Sequence, residues 1–286
     1  MSISNTTTLN DLVGTIVSDQ AITYAYANRV MRPLVSGFVV PPGNASIVVP
    51  AWQSLSVAAL TEGTAPSSTT LSTDGVTLTP TERGLFVEVS KRALYADPWQ
   101  DLAPYGEQMG RAIAADEDKL VLDLMESGFT TVVNDAGDAM TQDDFLSSIS
   151  YLEANNVPGP YFAVFHPYSW AKLRKAFGDA AAFASVGKQT VEGFGQGFTN
   201  NAGYVGSPYG IPCFVSSQVT AHDATPTHRP NYVFSQKAFG LGWLNDIRID
   251  VDDNIVGRKI DLMGWYSVDV KVLKSTWGCQ IHDTLT

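Results

Sequence analysis

Residues 46–90 read SIVVPAWQSLSVAALTEGTAPSSTTLSTDGVTLTPTERGLFVEVS. On the way in, Leu55, Val57 and Ala59 alternate with Ser54, Ser56 and Ala58. On the way out, Val76 and Leu78 alternate with Thr77 and Thr79, and Leu85, Val87 and Val89 alternate again. A period of two is the mark of a strand. Between the runs lies TEGTAPSSTTLSTDG (61–75), which holds almost nothing that could enter a core. The stretch predicts a two-stranded ribbon with a solvated tip. Its strand runs hold about 30 residues, and at about 3.3 Å per residue each arm would reach roughly 40–50 Å. A lone hairpin is marginal in water, and its edges invite pairing with another chain. The ribbon is therefore expected to find its partners outside its own core.

Working outward, DPWQDLAPYGEQMGRAIAADEDKLVLDLMESG (97–128) is expected to be the longest helix. Leu102, Tyr105, Met109, Ala112, Ile113, Leu120 and Leu124 recur at steps of three, four and seven. Asp97 or Asp101 can cap its start, Pro104 suits its first turn, and Gly128 suits the position just past its end. Gly106 and Gly110 lower its propensity, so tertiary packing must hold it. Upstream, Leu9, Leu12, Val13, Ile16 and Val17 predict a short helix with Thr8 or Asn10 as cap. NRVMRPLVSGFVVPPGNASIVVP (28–50) is broken by Pro33, Pro41, Pro42 and Pro50. It can neither continue a helix nor sit inside a central sheet, and reads as an arm crossing a surface.

Downstream, Thr141 opens a helix with Asp144 in the capping-box position and Phe145, Ile149 and Leu152 on one face. YFAVFHP (161–167) predicts a short buried strand, PYSWAKLRKAF (167–177) a helix, 178–204 a Gly-rich mobile loop, and IPCFVSSQV (211–219) a strand. The last part is strand-rich, with alternation at Ile247, Ile249 and Val251 and at Val268, Val270 and Val272.

The chain has 286 residues, 44% hydrophobic and 16% charged, with net charge −11. Soluble domains average about 25% charged residues. Large subunit interfaces are depleted in charge, so subunit contacts are one way to cover such a surface. Reading nucleic acid needs clustered Lys and Arg, which the sequence lacks; Arg29 and Arg32 come nearest. Cys213 and Cys279 are too few for a disulfide framework and read as buried thiols. No signal-peptide pattern and no apolar run of about 20 residues is present.

Chemistry is sparse. His222 and His228 share the loop AHDATPTHRP, but a metal would need further ligands. His166, before Pro167, could act as a base and reads better as a partly buried turn residue. GFGQGF (193–198) departs from the phosphate-cradling GxGxxG, and no GxSxG is present. Asp116, Glu117 and Asp118 fan around a helix, so they are expected to form a solvated face. No catalytic, cofactor or metal residue is expected, and the chain reads as a structural protein and not an enzyme.

The order arm, ribbon, long helix, mixed helix–strand unit and strand-rich return resembles the HK97-fold major capsid proteins of tailed bacteriophages. The resemblance is carried by NRVMRPLV (28–35), VVPAWQSLSVAALTEG (48–63), LTPTERGLFVEVSKRAL (78–94), MGRAIAADEDKLVLDLM (109–125), GYVGSPYGIPCFVSS (203–217), VFSQKAFGLGW (233–243) and LMGWYSVDVKVL (262–273). It implies an α+β fold: N-terminal arm (1–45), extended loop (46–91), peripheral domain with spine helix (92–131) and axial domain (132–238). C-terminal strands (239–286) would return to the peripheral domain.

It also implies pentamers and hexamers closing into an icosahedral shell around double-stranded DNA, without sequence-specific DNA binding and without a membrane. The virion would be the destination and the host cytoplasm the place of assembly. A separate scaffolding protein, a decoration protein and a portal are the further partners. Some members crosslink a lysine on the extended loop to an asparagine. Residues 46–90 hold no lysine, so no such crosslink is expected. Glu62, Thr64, Asp74, Arg83, Arg29 and Arg32 are the candidate inter-subunit contacts, the last two also candidates to face phosphate. An encapsulin-type protein compartment, which shares the architecture, and a soluble hydrolase are the competing readings.

Overall fold

The computed structural model describes residues 6–52, 57, 59, 73–92, 102–134, 138–179, 203–219, 228–254 and 256–284. Helix α1 (Thr6–Asn28), a 3-10 turn at Arg32–Leu34 and strand β1 (Ser36–Val39) lead in. A two-stranded ribbon of β2 (Ile47–Trp52) and β3 (Thr73–Leu78) is followed by β4 (Thr81–Ser90) and the long helix α2 (Ala103–Gly128). Next come β5 (Val132–Val133), α3 (Gln142–Ala154), β6 (Tyr161–Phe165), α4 (Pro167–Asp179), β7 (Tyr204–Gly206), β8 (Cys213–Val215) and β9 (His228–Ser235). Strands β10 (Phe239–Trp243), β11 (Arg248–Asn254), β12 (Lys259–Val272) and β13 (Gly278–Thr284) complete the chain.

The first sheet is organised by β12, whose 14 residues pair β11 and β4 along one half and β10 along the other. Strand β1 adds to β10 in parallel, as an edge strand, which suits its Pro-flanked sequence. Leu262, Tyr266 and Val268 point inward and are buried. Gly264 sits among them, and a Cβ there would meet the side chains of Met109 and Ile113 on α2. The core of this half lies between the sheet, α1 and α2.

The second sheet runs β5-β13-β9-β6-β8-β7, with α3 and α4 over a second cluster that includes Phe145, Leu152, Phe165, Leu173 and Ile281. Thr141 and Asp144 form the expected capping box at the start of α3. Phe239 packs edge-on against both Phe129 and Phe234, which are tilted to each other, where the two halves meet.

Three expectations change in detail. The short N-terminal helix is 23 residues long and packs along α2. β4 does not extend the ribbon. Pro80 breaks the chain after β3, since it has no N–H to donate, and β4 then pairs with β12 from Thr81 to Ser90. The described ribbon is six residue pairs, Ile47–Leu78 to Trp52–Thr73, about 20 Å at strand rise; 60–72, the tip, lies outside the described residues, as do 180–202 of the expected mobile loop. Finally, β13 does not join the first sheet. After a turn at Lys274–Trp277 it inserts between β9 and β5. Cys279, Ile281 and Asp283 are fully buried there. Asp283 accepts hydrogen bonds from the Met140 N–H, the Ser169 hydroxyl and the Lys172 ammonium, anchoring β13 to the helical layer.

Candidate inter-subunit surface

The ribbon is rooted firmly. Leu78, at its base, is completely buried against Gly242, where a Cβ would lie 3.1 Å from the Leu78 Cβ. The Thr79 N–H donates to the Asp269 carboxylate at 2.7 Å. Val49 is buried, while Val48 on the same strand faces out. The Leu78 end of the ribbon is thus packed on the first sheet, while β2 and β3 pair as a separate two-stranded sheet.

Beside the root, Arg83 on β4 makes two hydrogen bonds to Asp116 on α2, at 2.7 and 2.8 Å. The Tyr266 hydroxyl donates to the same carboxylate. Burial works to raise Asp116, but the bonds from Arg83 and Tyr266 outweigh it and hold it below the usual carboxylate range. Burial, with the bond to Asp116 added, pushes the Tyr266 phenol well up.

The acidic triplet is not a solvated face. Its three carboxylates leave the helix in different directions, and each meets a different segment. Asp116 meets β4. Glu117 meets Arg29 at 2.7 Å and Arg32 at 3.7 Å. Asp118 accepts from the backbone N–H groups of Val30 and Met31 at 2.9–3.1 Å. Glu117 and Asp118 are 1% and 3% exposed. Burial pushes Asp118 up to about 7, against the pull of the Met31 and Val30 N–H groups. Burial likewise raises Glu117, opposed by Arg29 and Arg32. Asp246, before β11, closes the cluster by bonding Tyr26, Arg29 and Arg32. Burial tends to raise it, yet the Tyr26 bond and the two arginines bring it down to about 2. The residues after α1 are therefore clamped onto α2 and β11.

The same helix pair explains Gly106 and Gly110. A Cβ on Gly106 would lie 2.6 Å from the Val17 carbonyl oxygen, and one on Gly110 would lie 2.2 Å from that of Ala21. Val17, Ala21 and Ala25, spaced four apart, are fully buried at this contact. The two glycines let the helix backbones touch, the device of small residues four apart.

Of the sequence-selected contacts, Arg29 and Arg32 are brought together in this clamp and Arg83 is paired with Asp116. Asp74 pairs through its backbone with Ala51 in the ribbon. Glu62 and Thr64 lie outside the described residues, as does His222. The Glu117–Asp118 clamp and the Gly106–Gly110 contact were missed. The spacing of Gly106 and Gly110 against Val17, Ala21 and Ala25 was the available signal.

His166 accepts the Tyr168 N–H on its ring and is lowered by burial. His228 stacks on His282 at 3.6 Å. Cys213 and Cys279 are free, buried thiols, the latter pushed up to about 12 by burial. Among the described residues no group of three or more His, Cys, Asp or Glu could hold a metal, and no helix is long and apolar enough to cross a membrane.

A model of the family described as phage capsid protein matches residues 73–276, from β3 through both sheets to the turn before β13. This chain belongs to the phage capsid protein family. Solved capsids have the same fold as this capsid protein. The capsid of cyanophage P-SCSP1u superposes with a TM-score of 0.64 at 15% identity, over 88% of this chain and 87% of that one. The mature capsid of bacteriophage PhiM1 gives 0.65 at 12% identity, over 91% and 88%. A virus-like particle from Pyrococcus furiosus gives 0.60 at 10% identity, over 93% and 97%. No curated protein matches by sequence. The capsid protein is an α+β chain of the HK97 type and a major capsid protein, a structural component of a phage virion. Its candidate site is accordingly a set of contact surfaces.

Proposed function

We propose that copies of this chain assemble as pentamers and hexamers into a closed icosahedral shell that holds double-stranded DNA without reading its sequence, with the ribbon reaching over a neighbouring subunit. The observation that carries this reading is the ribbon itself: its root is locked by Leu78 and Asp269, while among the described residues β2 pairs with no strand but β3. A two-stranded ribbon gains stability from further surfaces to pair with, and a neighbouring copy supplies one. The net charge of −11 suits a container that must release its polyanion. Glu62, Thr64 and Asp74 remain the contact candidates near the tip. Arg83, Arg29 and Arg32 act through the surfaces they shape, since each already has a carboxylate partner within the chain.

We further infer that no lysine crosslink forms from the ribbon, that a separate scaffolding or decoration protein supports the shell, that a portal completes it, and that assembly takes place in the host cytoplasm. The protein-compartment reading implies the same fold, but the family match is to phage capsids. Electron microscopy of the purified chain, with and without a scaffolding partner, tests the proposal. Closed shells are expected; a chain that stays monomeric under every assembly condition overturns it.

A further inference from the structure

The fold gathers cations that the sequence keeps apart. Strand β13 leaves the junction of the two halves at Gly278, opposite Phe234, and ends at Thr284, about 20 Å away. At that far end Arg229 on β9 and Lys172 on α4 converge on one neutral atom, the Thr284 carbonyl oxygen, at 3.0 and 3.2 Å. The Arg229 guanidinium also lies 5.1 Å from the centre of the Tyr168 ring, which is 66% exposed and stacks on His166. Tyr168, Lys172 and Lys175 follow one another at helical spacing and share one face of α4. His228, next to Arg229, and His282 complete the group.

Asp283 gives its charge to Lys172 and is fully buried, where the Ser169 hydroxyl and the Met140 N–H also hold it. Lys175 is exposed, and among the described residues no carboxylate pairs with it. The field here is positive: burial, and then Arg229, hold His166 below the ordinary histidine value against a smaller pull from Asp283.

We propose that this far end of the second sheet is a phosphate-binding site, with Lys175 and Arg229 as its principal cations, and that its ligand is the phosphodiester backbone of the enclosed DNA. The inference rests on the shell reading, which supplies that polyanion. It moves the phosphate contact away from Arg29 and Arg32, which are already paired with Glu117 and Asp246. Arginine offers a planar fork of donors and lysine a compact point charge, both suited to phosphate oxygens. The exposed Tyr168 brings a neutral hydroxyl of the kind that also contacts phosphates. Such contacts hold a duplex without reading its sequence.

Binding of a short fluorescent DNA duplex to the unassembled full-length chain, read by anisotropy, tests the proposal. With Lys175 and Arg229 each neutralising one phosphate, affinity is expected to fall about twelvefold as salt rises from about 50 to about 200 mM, a log–log slope of about −1.8. Lys175→Gln should reduce the steepness of that slope by about 0.9, and so should Arg229→Gln. Lys119→Gln, at an exposed position on α2, should leave it unchanged. Lys175→Gln, also at an exposed position, carries the test if Arg229→Gln does not fold. No binding at about 50 mM salt, or an equal effect of Lys119→Gln, overturns the site. Binding of inorganic tripolyphosphate with the duplex left unbound keeps a phosphate site and overturns DNA as its source. A polyglutamate peptide that binds more tightly than the duplex overturns phosphate as the ligand. Shell formation by the unmodified chain is scored separately: a chain that forms no shells sinks the shell reading, while the duplex titration still decides the site.

Discussion

Arg29 and Glu117 form an ion pair at 2.7 Å (Nε to Oε2), with side chains only 3% and 2% exposed, joining the end of α1 to the middle of α2. The contact is ionic and not a well-aligned hydrogen bond, since neither atom has a hydrogen-bond partner of good geometry. Its strength lies in mutual neutralisation. Breaking a buried pair from one side leaves an uncompensated charge and costs about 3–5 kcal/mol. Arg29→Ala is expected to lower the urea midpoint accordingly, Arg32 at 3.7 Å giving partial relief. Arg29→Met with Glu117→Leu should recover most of the loss, because the double change leaves no lone charge. Equal destabilisation by single and double variants would count against this account.

The neighbouring carboxylate predicts a pH dependence. Asp118 stands at about 7 in the folded chain, above the roughly 3.9 of an unfolded aspartate. The folded state therefore holds a proton that the unfolded state has lost between those values, and stability falls as pH rises from about 4 to about 7. Asp246, at about 2, has the opposite sign: its contribution is present above about 4 and disappears as pH falls toward 2. Glu117, Arg29 and Arg32 face these groups and share the field. Unfolding midpoints measured at pH 5 and pH 7.5 should be higher at pH 5. Asp118→Asn should reduce that difference while leaving the acid limb below pH 4.

Where the backbones of α1 and α2 touch, side-chain volume cannot be added. Gly110→Ala places a methyl group 2.2 Å from the Ala21 carbonyl oxygen, which is backbone and cannot step aside alone. Overpacking of this kind costs about 1–3 kcal/mol. The reverse of the usual helix-propensity gain is thus expected: a lower melting temperature for Gly110→Ala, and a larger drop for Gly110→Val.

On the proposed assembly role, the ribbon is expected to separate folding from assembly. Deleting 61–72 spares Thr73 and Asp74, which pair with Trp52 and Ala51. The shortened chain should keep its circular dichroism and melting temperature but assemble poorly. Normal shells from this deletion would show that the tip is not an assembly element. Leu78→Ala at the root should instead cost about 2–5 kcal/mol, as for a fully buried leucine, and lower subunit stability itself.

Local signals in the sequence determined much of this protein. Alternation placed the strands around Val76, Leu85, Ile249 and Val268, three- and four-residue spacing placed α2, and Thr141 with Asp144 placed the start of α3, because each is set by neighbours a few residues away. The order of these parts was enough to expect an HK97-type capsid fold. Pairing over long distances was decided only by tertiary structure. Alternation in β4 says that one face is buried, but not that its partner is β12, some 180 residues away. The mixed sequence of β13, GCQIHDT, does not itself choose a sheet, and the buried Asp283 anchor ties it to the second. Glycine in α2 reads as weakness until α1 lies against it. The Asp116–Asp118 triplet reads as surface because, in isolation, charges belong in water. Only the folded chain brings Arg83, Arg29 and the Val30 and Met31 N–H groups close enough to replace that water.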